Sequence, residues 1–163
     1  MKGRWLSSWW VAVLACAGAP PAALPERPVA HRFDALDGAT FNLGSLRGAP
    51  VLVHVMTTWS SPALLEVPLL DELHRTGRFE VLAVALDRES EVVSIFVETF
   101  GVSYPVVLPR DPADFVSDDG PFGPIGVTPT SVVLDPRGRI VARNDGTWDP
   151  AELNRIVEVY GAR

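Results

Sequence analysis

At 163 residues, with 47% hydrophobic and 21% charged residues, the chain has the length and apolar content of one globular domain and little room for a second. Its formal charge is −6, and about −8 once Lys2 and Arg4 are set aside, so nothing basic remains to track phosphates, which argues against a nucleic-acid partner. A single cysteine, Cys16, excludes an intrachain disulfide, and a conventional core must hold the fold.

Lys2 and Arg4 form a basic start, and Trp5 to Ala15 form an apolar run too short to span a bilayer comfortably. Residues 1–17 therefore read as a removable export signal. Val13-Leu14-Ala15-Cys16 looks like a bacterial lipobox, with cleavage before Cys16 and lipidation of that cysteine. Cleavage after Ala15-Cys16-Ala17, an A-x-A pattern, is the other reading and would release a soluble protein. Both routes place the mature domain in the cell envelope outside the cytoplasm, as a membrane-anchored lipoprotein by the first and as a periplasmic or secreted protein by the second. Residues 18–30 form a Pro/Ala tether that favours extended conformations, and the domain proper is expected over 31–163.

Phe33 to Leu36, the turn Asp37-Gly38 and Thr40 to Leu43 predict a hairpin. Val51 to Met56 and Val81 to Leu86 are continuous apolar runs, the mark of strands buried on both faces of a parallel sheet. A helix is expected between them, about Pro62 to Arg75, with Leu65, Leu69 and Leu73 as its core face and a kink at Pro68. A second helix, about Glu91 to Phe100, takes Ser90 as its N-cap and sets Val92, Ile95, Phe96 and Phe100 on one side.

Pro109 to Pro124, rich in Asp, Pro and Gly, reads as a long loop. Ser131 to Leu134 and Arg139 to Ala142 are then two strands about the turn Asp135-Pro136-Arg137-Gly138. The last helix opens at Asp149-Pro150-Ala151-Glu152, with Asp as cap, Pro at the first helical position and Glu three residues after the cap.

One segment carries a resemblance. Thr57-Thr58-Trp59-Ser60-Ser61-Pro62-Ala63-Leu64-Leu65-Glu66-Val67-Pro68 resembles the A-T-W-C-x-P-C-x-x-E-x-P signature of TlpA-like and ResA-like thioredoxins, with Ser60 and Ala63 where the two cysteines belong. Val127-Thr128-Pro129-Thr130, placed before an apolar strand, resembles the cis-proline loop of the same family. The resemblance spans about Phe33 to Tyr160. It implies an α/β fold: a thioredoxin-like three-layer sandwich with a central mixed sheet and an added N-terminal β-hairpin. It also implies thiol-disulfide oxidoreductase chemistry, and there the residues disagree. A thiolate must attack a sulfur and a second cysteine must close the bridge; the Ser60 hydroxyl is barely ionised near neutral pH, and Ala63 offers no sulfur.

Redox catalysis is therefore expected to be lost, and the catalytic set is empty. What the resemblance leaves is a docking surface for an extended segment of an extracytoplasmic protein, made of Trp59, Ser60, Pro62, Thr128 and Pro129. Glu66 stands where ResA-like proteins hold an acidic residue beside their cysteines; with no thiol to tune, it reads as a helix carboxylate that is exposed or capping a nearby N–H. Trp59 is expected to pack over the helix start as it does in the family, and an exposed aromatic there would also suit a binding surface.

Other chemistries fare worse. Serine hydrolysis at Ser60 needs a base among His31, His54 and His74, and His54, mid-strand beside Leu52 and Met56, reads as a hydrogen-bonded core histidine. Glutathione-transferase-like thiol binding at Ser60 is the better analogy, although that family adds an all-helical domain for which this chain has no residues left. His54 with Met56 is no metal site, the three histidines lack ligand-like spacing, and no cofactor is implied.

Overall fold

Runs of β-branched and aliphatic residues build the centre of the molecule. In the computed structural model, which describes residues 27–161, β3 (Val51–Met56) and β4 (Glu80–Ala85) pair in parallel from Val51↔Glu80 to Met56↔Ala85. The strand β5 (Val106–Leu108) lies parallel to β4, while β6 (Thr130–Leu134) runs antiparallel to β3 and β7 (Ile140–Asp145) antiparallel to β6. The hairpin β1 (Arg32–Ala35) and β2 (Thr40–Asn42) joins through β1 to β5, giving the order β2-β1-β5-β4-β3-β6-β7. The expected export signal, Cys16 and most of the expected tether lie outside the described residues. Val29, at the end of the tether, is buried, and its N–H donates to the Gly138 carbonyl at 2.8 Å.

Alternation along the strands splits the core in two. Leu52 and Met56 face one side with α1 (Ser61–Arg75), α2 (Ser90–Phe100) and α4 (Pro150–Tyr160). The crossovers β3–α1–β4 and β4–α2–β5 step in the same direction across the sheet, and right-handed connections then put both helices on one face. Val51, Val53 and Val55 face the other side, where the cover is made of short pieces. These are Leu43 of a 3-10 turn (Leu43–Leu46), Phe115 of α3 (Pro112–Phe115), and Phe122 and Ile125. This is the expected thioredoxin-like α/β fold, with the N-terminal hairpin extending its mixed sheet.

Several expectations about the helices and loops change. In α1 the buried residues are Ala63, Glu66, Val67, Leu70 and Leu73, while Leu65 is 78% exposed. An i, i+4, i+8 row turns about 40° per step around a helix of 3.6 residues per turn, so Leu65 has rotated out of the face that Leu73 occupies. The helix continues as one element through Pro68, whose ring lies exposed. In α2 the buried pair is Val93 and Phe96, and Val92, Ile95 and Phe100 are about half exposed. Ser90 is the first residue of that helix rather than its cap, which is Glu89 and makes no side-chain cap bond. The helix stops at Gly101, left-handed at φ 63°, whose N–H returns to the Val97 carbonyl.

The segment 109–124 is not an open loop. Asp111 caps α3 by accepting from the Ala113 and Asp114 N–H groups, with Pro112 at the first helical position. Phe115 and Phe122 then stack edge-on at 5.7 Å beneath the sheet, and Phe115 meets Phe33 at the same separation. The segment is the third layer.

Candidate functional site

The site begins where β3 runs out. After Met56 the chain turns through Thr57 to Ser60, with the Ser60 N–H donating to the Thr57 carbonyl at 3.2 Å, and enters α1 at Ser61. Ser60 is the N-cap, with extended φ −84° and ψ 121°, and its carbonyl accepts from the Leu64 N–H. Its side chain makes no cap bond, so the hydroxyl stands uncommitted at the positive end of the helix. Pro62 lies in the first turn, where a missing N–H costs nothing. Ala63 is 1% exposed: the position of the second sulfur is deep in the core.

Thr58 anchors the tip. Its N–H and hydroxyl both donate to the Asp87 carboxylate, at 3.0 and 2.7 Å. Asp87 follows β4, so this pair ties the ends of two parallel strands together. It also forms one wall of an open cleft of about 700 Å3 that reaches Arg88 and Arg110. Trp59, between Thr58 and Ser60, is 79% exposed: of the two placements expected for it, packing over the helix start is the one not adopted. With its neighbour fixed to Asp87, the indole is directed into solvent.

The second half arrives from β6. Val55 pairs with Thr130, which brings Pro129 level with the end of β3 and so to the same end of the sheet as Trp59, Ser60 and Pro62. The Thr128–Pro129 bond is cis, Pro129 is buried, and Val127 is 55% exposed beside them. The strand β7 holds this loop. Arg143 donates to the Phe122 and Pro124 carbonyls at 3.1 and 2.6 Å, and its Nε donates to Asp145 at 2.9 Å. The Thr130 hydroxyl lies 2.7 Å from the Val127 carbonyl and 2.9 Å from Asp145, while the Gly146 N–H donates to the Pro129 carbonyl at 2.8 Å.

Beneath the tip lies a buried polar group of side chains. His54 is fully buried, with Nδ1 3.0 Å from the Ser131 hydroxyl, as expected of a hydrogen-bonded core histidine, and Nε2 3.7 Å from Glu66 Oε2. Glu66 corrects half of its expectation: it is 4% exposed rather than solvated, yet it does cap an N–H, accepting from the Trp148 backbone at 2.7 Å. The helix face it shares with Ala63, Val67 and Leu70 looks inward, which decides its burial. Loss of water raises its pKa, and the Trp148 bond pulls the other way. Burial lowers that of His54 to about 4. Tyr104 is pushed up by burial and then by the charges of Asp71 and Glu66.

Among the described residues no group of three or more His, Cys, Asp or Glu side chains is placed to hold a metal. His54 and Met56 lie on one strand face within the core. Of the histidines weighed as a base for Ser60, His54 is bonded to Ser131 through one ring nitrogen and faces Glu66 through the other.

The sequence matches no protein-family model. It is 29% identical over 121 residues to the thiol-disulfide oxidoreductase ResA of Oceanobacillus iheyensis, a stretch covering 72% of this chain and 60% of that protein. The same identity over 126 residues links it to ResA of Geobacillus kaustophilus, covering 76% and 70%. In fold it is similar to StoA from Bacillus subtilis, with a TM-score of 0.62 at 20% identity over 80% of this chain and 98% of that one. It is similar also to the thioredoxin domain of a thiol-disulfide oxidoreductase from Bacteroides vulgatus, with a TM-score of 0.68 at 23% identity over 86% and 99%. The chain has a thioredoxin-like fold and is similar in sequence to the ResA family. It carries that family's frame with one cysteine in the whole sequence, at position 16.

Asp87, Arg143, Asp145 and Trp148 were not found from the sequence. Asp87 had a signal, as the first acid after a buried apolar run. The others had none, because Arg143 and Asp145 lie beyond the strand expected over Arg139 to Ala142 and Trp148 falls between it and the last helix.

Proposed function

We propose that this chain is an extracytoplasmic, ResA-type docking module that holds an extended segment of another envelope protein without exchanging disulfides. One observation carries the reading: the two positions where thiols would act are Ser60 and Ala63, while the Thr128–Pro129 loop facing them is firmly held by Arg143, Thr130 and Gly146. An exposed Trp59, an exposed Val127 and a Thr128 whose backbone makes no hydrogen bond among the described residues line one end of the sheet. Aromatic anchors of this kind dominate binding surfaces. The leader and Cys16 support an envelope location, with Cys16 as the lipid attachment point and the Pro/Ala tether as spacer.

A second reading draws on the thiol-disulfide oxidoreductase activity of the similar proteins and on the uncommitted Ser60 hydroxyl. In it the helix N-terminus stabilises the thiolate of a bound thiol, as in glutathione-transferase-like chemistry, and the partner supplies every sulfur.

The test compares the wild type with Ser60→Ala, with Ser60→Cys/Ala63→Cys, and with the folded double variant Trp59→Ala/Thr128→Arg. A docking module shows no dithiol-driven disulfide reduction as wild type and gains it only in the two-cysteine variant. It retains an envelope protein that Trp59→Ala/Thr128→Arg loses, and Ser60→Ala leaves that retention unchanged. Turnover by the wild type that Ser60→Ala abolishes would replace this reading with the second. Retention equal in wild type and the groove variant would remove the site as the functional surface.

A further inference from the structure

Several buried polar atoms beneath the site lack partners among the described residues, Tyr104 Oη and Trp148 Nε1 included. Among the described residues His54 Nε2 and Glu66 Oε2 are both out of solvent and unbonded, and they face each other at 3.7 Å. Native interiors leave few such atoms, and each carries a desolvation cost of about 1–3 kcal/mol. A single proton on Glu66 Oε2, aimed at His54 Nε2, would serve both.

Glu66 also has an outlet. Its other oxygen accepts the Trp148 N–H at 2.7 Å. Trp148 ends a short segment that begins at Asp145, and that segment holds the loop of the candidate site: the Gly146 N–H donates to the Pro129 carbonyl, and Asp145 lies within hydrogen-bond distance of the Thr130 hydroxyl. From the buried carboxyl to the Thr128–Pro129 loop there is an unbroken run of hydrogen bonds and three residues of backbone.

We infer that Glu66 is a positioning residue whose proton, shared with His54, sets how firmly the 145–148 segment holds the Thr128–Pro129 loop. An ionised carboxylate makes a charge-assisted bond to the Trp148 N–H, and a neutral carboxyl is the weaker acceptor. Rising pH therefore tightens the segment and falling pH relaxes it. Burial raises the pKa of Glu66, which places the change above the ordinary carboxylate range. The groups facing Glu66 are few. From β3 there is His54; from the turn before β5, Tyr104, which feels Glu66 and Asp71; from the turn before α4, the Trp148 N–H alone, because Asp149 caps its own helix at Ala151 and Glu152. Ser131 of β6 acts only through His54. A consequence for partner binding rests on the docking function proposed above, whereas the coupling itself is a property of this chain alone.

The experiment needs no partner. In isotope-labelled protein the Glu66 and Asp145 carboxyl carbons and the amides of Thr128, Thr130, Gly146 and Trp148 are followed by NMR across the acid-to-neutral range. The expected result is one midpoint, shared by the Glu66 carboxyl and all four amides. In Glu66→Gln, which keeps the acceptor and removes the proton, those shifts go flat; in His54→Gln the amides still follow Glu66, at whatever midpoint it adopts. The inference is overturned if Thr128 and Thr130 stay flat while Glu66 titrates, if they follow Asp145, or if their titration survives Glu66→Gln. Should Glu66→Gln fail to fold, the wild-type midpoints decide alone. A docking failure would leave these shifts untouched, so the two proposals fail separately.

Discussion

The two halves of the site are built in opposite ways. The helix tip, Thr57 to Ala63, keeps one side-chain anchor, Thr58 on Asp87, and exposes its aromatic. The loop opposite is held at four carbonyls, those of Phe122, Pro124, Val127 and Pro129, by Arg143, Thr130 and Gly146. The difference teaches why the loss of two sulfurs has not dismantled the site. The loop's bonds go to β7 and its own chain, so nothing that holds it depends on what stands at 60 or 63. The helix tip and the loop sit on separate supports.

The largest test of that separation lies under the loop. Phe122→Ala removes a fully buried ring stacked on Phe115 and should cost about 3–5 kcal/mol in urea unfolding. A cost below about 1 kcal/mol would mean that β7 alone holds the segment.

Next comes acid. The folded pKa of His54 lies below its ordinary 6.5, at about 4, so the native state resists a proton that the unfolded chain takes up. Its contribution is complete above pH 6.5 and is lost as pH falls towards 4, which amounts to about 3 kcal/mol at ~1.4 kcal/mol per unit. Glu66 acts with the opposite sign: its raised folded pKa favours the native state at low pH, and that advantage fades as pH rises through the raised value. Urea midpoints against pH for wild type and His54→Asn separate the two, with the variant losing the His54 part of the acid limb.

Arg143→Met removes three charge-assisted contacts from a side chain that is 19% exposed, and should cost about 2 kcal/mol with faster amide exchange across 125–128. Unchanged exchange there would end the view that β7 sets the loop. The smallest stability effect belongs to Trp59→Ala, within about 0.5 kcal/mol because the ring is 79% exposed. Loss of partner retention without loss of stability is the signature of a residue placed for binding.

Much of the fold was legible because its strands are long apolar runs and its turns carry glycine. The strand Val51–Met56 was placed to the residue, and Asp149-Pro150 marked the start of the last helix. The helix faces were not, since leucine spacing in α1 and valine-isoleucine spacing in α2 each allow two stripes, and only the packed sheet selects one. The third layer was hidden because Asp, Pro and Gly outnumber the two phenylalanines that pin it. At the site, Trp59, Ser60, Pro62, Thr128 and Pro129 were legible from a motif, whereas the anchors Asp87, Arg143 and Trp148 were not.

By itself the sequence determined which atoms the site can offer: no sulfur at 60 or 63, a hydroxyl at a helix start, a proline before a strand. Such facts belong to single residues and survive any folding. Only the tertiary structure decided which groups are buried and whom they meet. Glu66 meets a backbone N–H 82 positions away and His54 a serine 77 positions away, and the environment that sets their charge exists only once those distant segments close over them.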